Sequence, residues 1–264
     1  MAADLSSANM PGPDPGPASD FTLPDDWRDC ALFLDFDGTL VELAASPEAV
    51  VVAPGLAQLL AAVAAQLDGR LAIVSGRPVA QIDAMLAPLT LVAAGVHGAE
   101  RRDADGAWHY ASTPSLALAL PYLRPLVAAH DGLLLEEKRG ALALHYRLAP
   151  ALESACVQAM RAAQAACPGT VLLHGKMVLE LKPAGIDKGA VLAAFLQEPP
   201  FKGHRPIFIG DDTTDEAAII YAQQVGGIGV KIGAGASAAH HRMAEPQALH
   251  ALLAQAAILQ GESS

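Results

Sequence analysis

From residue 31 onward, short apolar runs alternate with stretches of helical spacing. Residues 31–36 are apolar apart from Asp35, and Asp37 follows two positions on. An uninterrupted run of this kind predicts a strand buried on both faces. Residues 55–67 then predict a helix, 70–74 a strand, 79–86 a helix and 91–95 a strand. The same alternation returns late in the chain, with helices over 187–197, 215–224 and 247–259 and strands over 206–209 and 228–231. Strand–helix alternation predicts an α/β core, a Rossmann-like parallel sheet with helices on both faces.

The middle of the chain has a different period. In residues 134–138, Glu136 and Lys138 share a face. In 141–147, His145 and Arg147 lie opposite Leu142, Leu144 and Tyr146; in 177–182, Glu180 and Lys182 lie opposite Met177, Leu179 and Leu181. Period-two alternation predicts strands with one face buried and one polar. Helical stretches near 115–129 and 151–166 would cover the apolar side. The expected organisation is a core of residues 23–103 and 183–264, with an α+β unit of residues 104–182 inserted into it. Residues 102–106 and 183–185 are the candidate hinges between the two.

Composition narrows the function. Residues 1–22 carry Pro-Gly-Pro-Asp-Pro-Gly-Pro and little to bury, which predicts a disordered tail. A hydrophobic fraction of 52% over 264 residues supports a substantial core elsewhere. The net charge of −11 argues against nucleic acid as a partner, while leaving room for a small anionic substrate in a locally positive site. Cys30, Cys156 and Cys167 have no metal-binding or disulfide spacing, which fits a reducing compartment. Asp4 and the lack of an early basic cluster or apolar run argue against a signal peptide. The uncharged stretch 49–67 contains Pro54-Gly55 and two glutamines, so it reads as a turn and a buried helix, not a membrane span. The expected location is the cytoplasm.

Candidate chemistry gathers at strand and helix ends. Asp35 and Asp37 end the first strand and are followed by Gly38-Thr39; two carboxylates there can hold a hard cation and attack or protonate a phosphate. Ser75, in Val74-Ser75-Gly76-Arg77, ends a second strand and can donate to a phosphate oxygen. Lys188 opens a helix after Gly185-Ile186-Asp187, and an ammonium at a helix N-terminus favours phosphate. Gly210-Asp211-Asp212-Thr213-Thr214-Asp215-Glu216 follows a third strand; acids so crowded repel one another unless cations offset them, or else serve as a helix cap. Each feature alone has an ordinary structural reading. Their joint order does not.

With these motifs the sequence resembles the haloacid dehalogenase-like phosphatase superfamily. Asp35 and Asp37 match its first motif, Ser75 its second, Lys188 its third, and Asp211, Asp212 and Asp215 its fourth. The finer resemblance is to trehalose-6-phosphate phosphatases, carried by Leu34–Leu40, Val74–Pro78, Gly95-Val96-His97-Gly98-Ala99-Glu100, His145-Tyr146-Arg147, Leu179–Pro183, Asp187-Lys188-Gly189 and Gly210–Glu216. The resemblance implies that Asp35 is the nucleophile and Asp37 the acid–base. It also implies that Ser75 and Lys188 bind the phosphoryl group, and that Mg²⁺ is held by Asp35, Asp37 through its main-chain carbonyl, and Asp211. Asp212 and Asp215 are then outer-shell or water-mediated. The inserted unit would act as a cap for a sugar phosphate, with Glu136, Lys138 and Glu180 on sugar hydroxyls and His145 and Arg147 nearby. Thr39, Arg77, His97 and Glu100 are the candidate substrate-binding residues of the core. The resemblance leaves open another sugar phosphatase, acting on sucrose or mannosyl phosphate, and a silent regulatory domain. Functional coupling to a trehalose-6-phosphate synthase is a further expectation.

Overall fold

The computed structural model describes residues 21–258, apart from residues 45, 112–114 and 139. In chain order the strands are β1 (Cys30–Leu34), β2 (Leu71–Val74), β3 (Val92–Gly95), β4 (Glu100–Arg102), β5 (Trp108–Tyr110), β6 (Leu134–Lys138), β7 (Ala141–His145), β8 (Thr170–Gly175), β9 (Val178–Pro183), β10 (Arg205–Gly210), β11 (Ile228–Ile232) and β12 (His241–Met243). The helices are α1 (Leu56–Gln66), α2 (Val79–Leu86), α3 (Leu120–Ala129), α4 (Glu153–Ala166), α5 (Lys188–Phe195), α6 (Glu216–Gln224) and α7 (Pro246–Ile258).

The apolar runs form one eight-stranded sheet of order β12-β11-β10-β1-β2-β3-β4-β5. Pairing is parallel from β12 to β3 and antiparallel through β4 and β5. All five residues of β1 are buried, because both faces of the sheet are covered. Leu32 and Leu34 pack with α1, α2 and α7. Ala31 and Phe33 face the other way, against α5 and α6. This is the α/β arrangement the unbroken apolar runs predict.

The second sheet has four antiparallel strands in the order β6-β7-β9-β8. Leu142, Leu144, Leu179 and Leu181 project from one face onto α3 and α4, where Leu123, Cys156, Met160 and Ala163 complete a separate core. The opposite face carries Glu136, Ala143 and Glu180 in one cross-strand row. Ala143 is small, so the two carboxylates flank a shallow floor.

Several expectations need correction. Residues 103–107 close the β4–β5 hairpin, with Asp103 Oδ1 accepting from Asp105 N (3.0 Å) and Ala107 N (2.8 Å); they are a turn within the large sheet and not a hinge. The chain therefore stays in the large sheet as far as Tyr110, beyond residue 104. Strand β7 ends at His145, so Tyr146 and Arg147 lie past it. The expected tail of residues 1–22 lies outside the described residues through residue 20, but Phe21 is buried in the main core and packs on His241 at 5.3 Å. The cysteines are free and buried. Among the described residues, no helix is long and apolar enough to cross a membrane.

Candidate active site

The site lies at the carboxyl ends of the parallel strands, where an open α/β sheet leaves room for ligands. Asp35 follows β1 directly, and its N–H donates to Ile209 O on the neighbouring strand (3.0 Å). The chain then wraps tightly. The Phe36 carbonyl accepts from Leu40 N (2.9 Å) and Val41 N (3.0 Å), and Gly38 N donates to Val41 O (2.7 Å). Gly38 has φ +80°, and a Cβ there would lie 2.2 Å from Asp211 Oδ2. Only glycine allows both that backbone and the close approach of the carboxylate.

Lys188, at the start of α5, is 2% exposed and bridges two acids. Its Nζ donates to Asp35 Oδ1 (2.7 Å) and Asp215 Oδ1 (2.6 Å). Burial works against the ammonium, but Asp215 and Asp35 outweigh it and hold the lysine above its ordinary range. Asp215 Oδ2 accepts from Asp211 N (3.0 Å) and Asp212 N (2.9 Å), so both its oxygens are engaged. Burial, then the Asp215 charge, push the Asp35 carboxyl well above its usual value. Asp211 is also pushed up, mainly by burial.

Asp35, Asp211 and Asp215 bring ligand oxygens within 4.8 Å of one another. Asp211 Oδ1 is buried and has no hydrogen-bond partner among the described residues. An orphaned carboxylate oxygen beside a second buried carboxylate is the donor set a hard divalent cation takes. Asp35 and Asp211 fit that role; Asp215 is spent on Lys188 and the backbone.

Ser75 follows β2 and is 1% exposed. Its Oγ accepts from Arg77 N (3.1 Å), which leaves the hydroxyl proton able to donate into the cleft. His97 sits in a strained turn, with φ +50° at Val96 and +52° at His97. A β-branched residue rarely adopts that conformation. It sets the imidazole against Gly76, where a Cβ would meet the ring at 2.7 Å.

The polar face of the second sheet closes the cleft. Glu180 Oε2 lies 2.8 Å from His97 Nε2, and Lys138 Nζ donates to Gly76 O (3.2 Å). Glu136 Oε2 lies 3.1 Å from His145 Nε2 and 3.7 Å from Lys138 Nζ. Glu180 Oε1 is buried without a hydrogen-bond partner among the described residues.

One cleft thus gathers Asp35, Asp37, Ser75, Arg77, Lys188, Asp211 and Asp212 with His97, Glu136, Lys138, His145, Arg147 and Glu180. A family model described as trehalose-phosphatase matches residues 33–251. The chain belongs to the trehalose-phosphatase family. The trehalose-6-phosphate phosphatase of Escherichia coli (strain K12) is 43% identical over 217 residues, which are 81% of either chain. The crystal structure of a trehalose-6-phosphate phosphatase related protein matches with a TM-score of 0.70 at 28% identity, covering 88% of this chain and 99% of that one. A haloacid dehalogenase-like hydrolase from Bacteroides thetaiotaomicron shares the fold, with a TM-score of 0.58 at 18% identity over 85% of this chain and 98% of that one.

In this member of the family three expected site residues stand apart from the cleft. Glu100 lies in β4, not in a loop, and its Oε1 accepts from Val79 N (2.7 Å) at the start of α2. It caps a helix. Thr39 is fully buried, and its Oγ1 has no hydrogen-bond partner among the described residues. Asp215 is sealed beneath Lys188, as described above. Arg77 does reach the cleft, but there it grips Asp37, Nε to Oδ2 at 2.7 Å and a terminal nitrogen to Oδ1 at 2.8 Å.

Two lysines escaped the sequence reading. Lys176, in the turn between β8 and β9, places Nζ 3.2 Å from Asp211 Oδ2. Lys231, near the end of β11, is 5% exposed and donates to the Asp211 carbonyl. The signal for Lys231 was a lone lysine inside an otherwise apolar strand, in Ile228-Gly229-Val230-Lys231-Ile232.

Proposed function

We propose that the protein hydrolyses trehalose 6-phosphate to trehalose and phosphate through an aspartyl-phosphate on Asp35, the last step of trehalose formation. The observation that carries this is the single cleft. It joins a buried Asp35–Lys188 pair to a polar sheet face in which Glu180 Oε1 has no hydrogen-bond partner among the described residues, with Lys138 Nζ at 3.9 Å. A sugar hydroxyl would satisfy that acceptor.

The steps balance as follows. An Asp35 carboxylate oxygen attacks phosphorus, and the bond from phosphorus to the sugar oxygen breaks. The Asp37 carboxyl gives its proton to the departing sugar oxygen. Water then attacks phosphorus and passes a proton to Asp37, and the phosphorus–Asp35 bond breaks to release phosphate. Lys188 and Ser75 hold the phosphoryl oxygens, each worth roughly 10²–10³-fold in rate. Asp35, Asp211 and the Asp37 carbonyl would hold Mg²⁺, which would supply charge neutralisation at the phosphoryl oxygens. Glu136, Lys138 and Glu180 bind the sugar, and the unit containing β6–β9 acts as the cap.

Phosphate release is to be compared on trehalose 6-phosphate, sucrose 6-phosphate and glucose 6-phosphate, with and without Mg²⁺. The expected preference for trehalose 6-phosphate is at least about tenfold in kcat/KM. No preference, or undiminished turnover in Asp35→Asn, overturns the reading.

A further inference from the structure

Arg77 lines the cleft, but its guanidinium is turned onto Asp37. Its guanidinium already makes two hydrogen bonds to Asp37, one to each carboxylate oxygen, at 2.7 and 2.8 Å. A two-pronged pair of this kind fixes the plane of the carboxylate, which a lysine cannot do. The grip is itself anchored. Arg77 N donates to Ser75 Oγ (3.1 Å), Val96 N donates to Arg77 O (3.1 Å), and the guanidinium lies over the Phe36 ring at 6.0 Å. Arg77 is 8% exposed, while the Asp37 side chain keeps 30% of its surface open. The carboxylate therefore faces the cleft from a rigid mount behind it.

We propose that Arg77 is the positioning residue for Asp37 in both proton transfers, and not a sugar ligand. This rests on the reading of Asp37 as the acid–base. When the Asp37 proton passes to the departing sugar oxygen, negative charge develops on the Asp37 carboxyl, and Arg77 is already in place to meet it. The same two contacts orient the resulting carboxylate to accept the proton of the attacking water in the second half-reaction. Bonds and protons balance as in the main mechanism, since Arg77 neither gains nor loses a proton.

The leaving group separates this role from the alternatives. p-Nitrophenolate departs without protonation, whereas a sugar alkoxide needs it. Arg77→Ala, Arg77→Lys, Asp37→Asn and the Arg77→Ala/Asp37→Asn pair are assayed on trehalose 6-phosphate and p-nitrophenyl phosphate, with melting temperatures recorded alongside. Arg77→Ala is expected to lower kcat on the sugar phosphate by about 10²-fold while KM moves less than about threefold. Its loss on p-nitrophenyl phosphate is expected to be at least about tenfold smaller, and the double variant no slower than Asp37→Asn. Arg77→Lys keeps the charge but not the two-pronged geometry, so it is expected to show the same selective loss and serves if Arg77→Ala does not fold. A rise in KM with kcat kept, equal losses on the two substrates, or additive losses in the double variant overturns the assignment. If Asp37→Asn itself slows both substrates equally, the acid–base reading falls. If Asp37→Asn is selective and Arg77→Ala is not, only the role of Arg77 falls.

Discussion

The contact between Glu180 and His97 joins strand β9 of the small sheet to the loop after β3 of the large one, and acid should break it. Burial alone would raise the Glu180 carboxyl, but the His97 charge and hydrogen bond, then Lys138 and Lys182, bring it from 4.5 down to about 2. That difference corresponds to about 3 kcal/mol, at ~1.4 kcal/mol per pKa unit. A depressed carboxylate contributes stability that is complete above its ordinary pKa and is lost as pH falls through the folded value. The contribution therefore fades as pH falls from 4.5 through about 2. Between about pH 5 and about pH 3 the linkage relation gives a loss of roughly 2 kcal/mol. In melting temperature this is ~4–8 °C for a chain of this size. Glu180→Gln keeps the shape and removes the charge, so it isolates the effect from other carboxylates. Thermal unfolding across that range is expected to show wild type losing that much more than the variant. Two curves that fall in parallel would refute the reasoning.

Gly38→Ala drives a Cβ into the Asp211 carboxylate, 2.2 Å from Oδ2; apparent Mg²⁺ affinity, read from the Mg²⁺-dependent rise in melting temperature and from turnover, is expected to fall at least about tenfold, and an unchanged titration would sink the proposed cation site. Glu100→Ala removes the acceptor for Val79 N; it should cost about 1 kcal/mol in urea unfolding and leave KM for trehalose 6-phosphate unchanged, whereas a raised KM would return Glu100 to the sugar site. Lys188→Ala strands two buried carboxylates, Asp35 and Asp215; a destabilisation of about 3–5 kcal/mol is expected along with loss of turnover, and a variant as stable as wild type would show that the pair is not an uncompensated charge cluster.

Much of the fold was legible because burial on two faces writes itself as continuous apolar runs, as in β1, β2 and β10. The half-polar strands β6, β7 and β9 were legible from period two. Strand β8 was not, since Thr170-Val171-Leu172-Leu173-His174-Gly175 runs Val-Leu-Leu without alternation at the edge of the small sheet. Strands β4, β5 and β12 have three residues each, too few for any period to show. Nor could spacing announce that Glu100 caps α2 or that Arg77 holds Asp37. Those pairings join residues 21 and 40 positions apart and exist only once the sheet has set the loops side by side.

The acidic run Asp211-Asp212-Asp215 shows most clearly where spacing stops and geometry begins. By sequence, Asp212 and Asp215 were interchangeable as outer-shell or water-mediated groups. In the fold Asp215 has no oxygen to spare, being shared between Lys188 and two backbone N–H groups. Asp212 caps the 3-10 turn Thr213–Asp215. Asp211 keeps a buried oxygen without a hydrogen-bond partner among the described residues, although Lys176 and Lys231 approach its other atoms. Lys188 carries one positive charge between Asp35 and Asp215, and Asp211 adds a third buried carboxylate beside them. Even with Lys176 against Asp211, burial and mutual repulsion raise Asp35 and Asp211, so compensation of the cluster falls short where the phosphoryl group would arrive. A divalent cation on Asp35 and Asp211 would relieve that shortage and leave Lys188 in place. In the proposed mechanism the lysine and the cation would be complementary parts of one electrostatic design: Lys188 would fix Asp35 as the nucleophile, and the unsatisfied side of Asp211 would set the place of the cation.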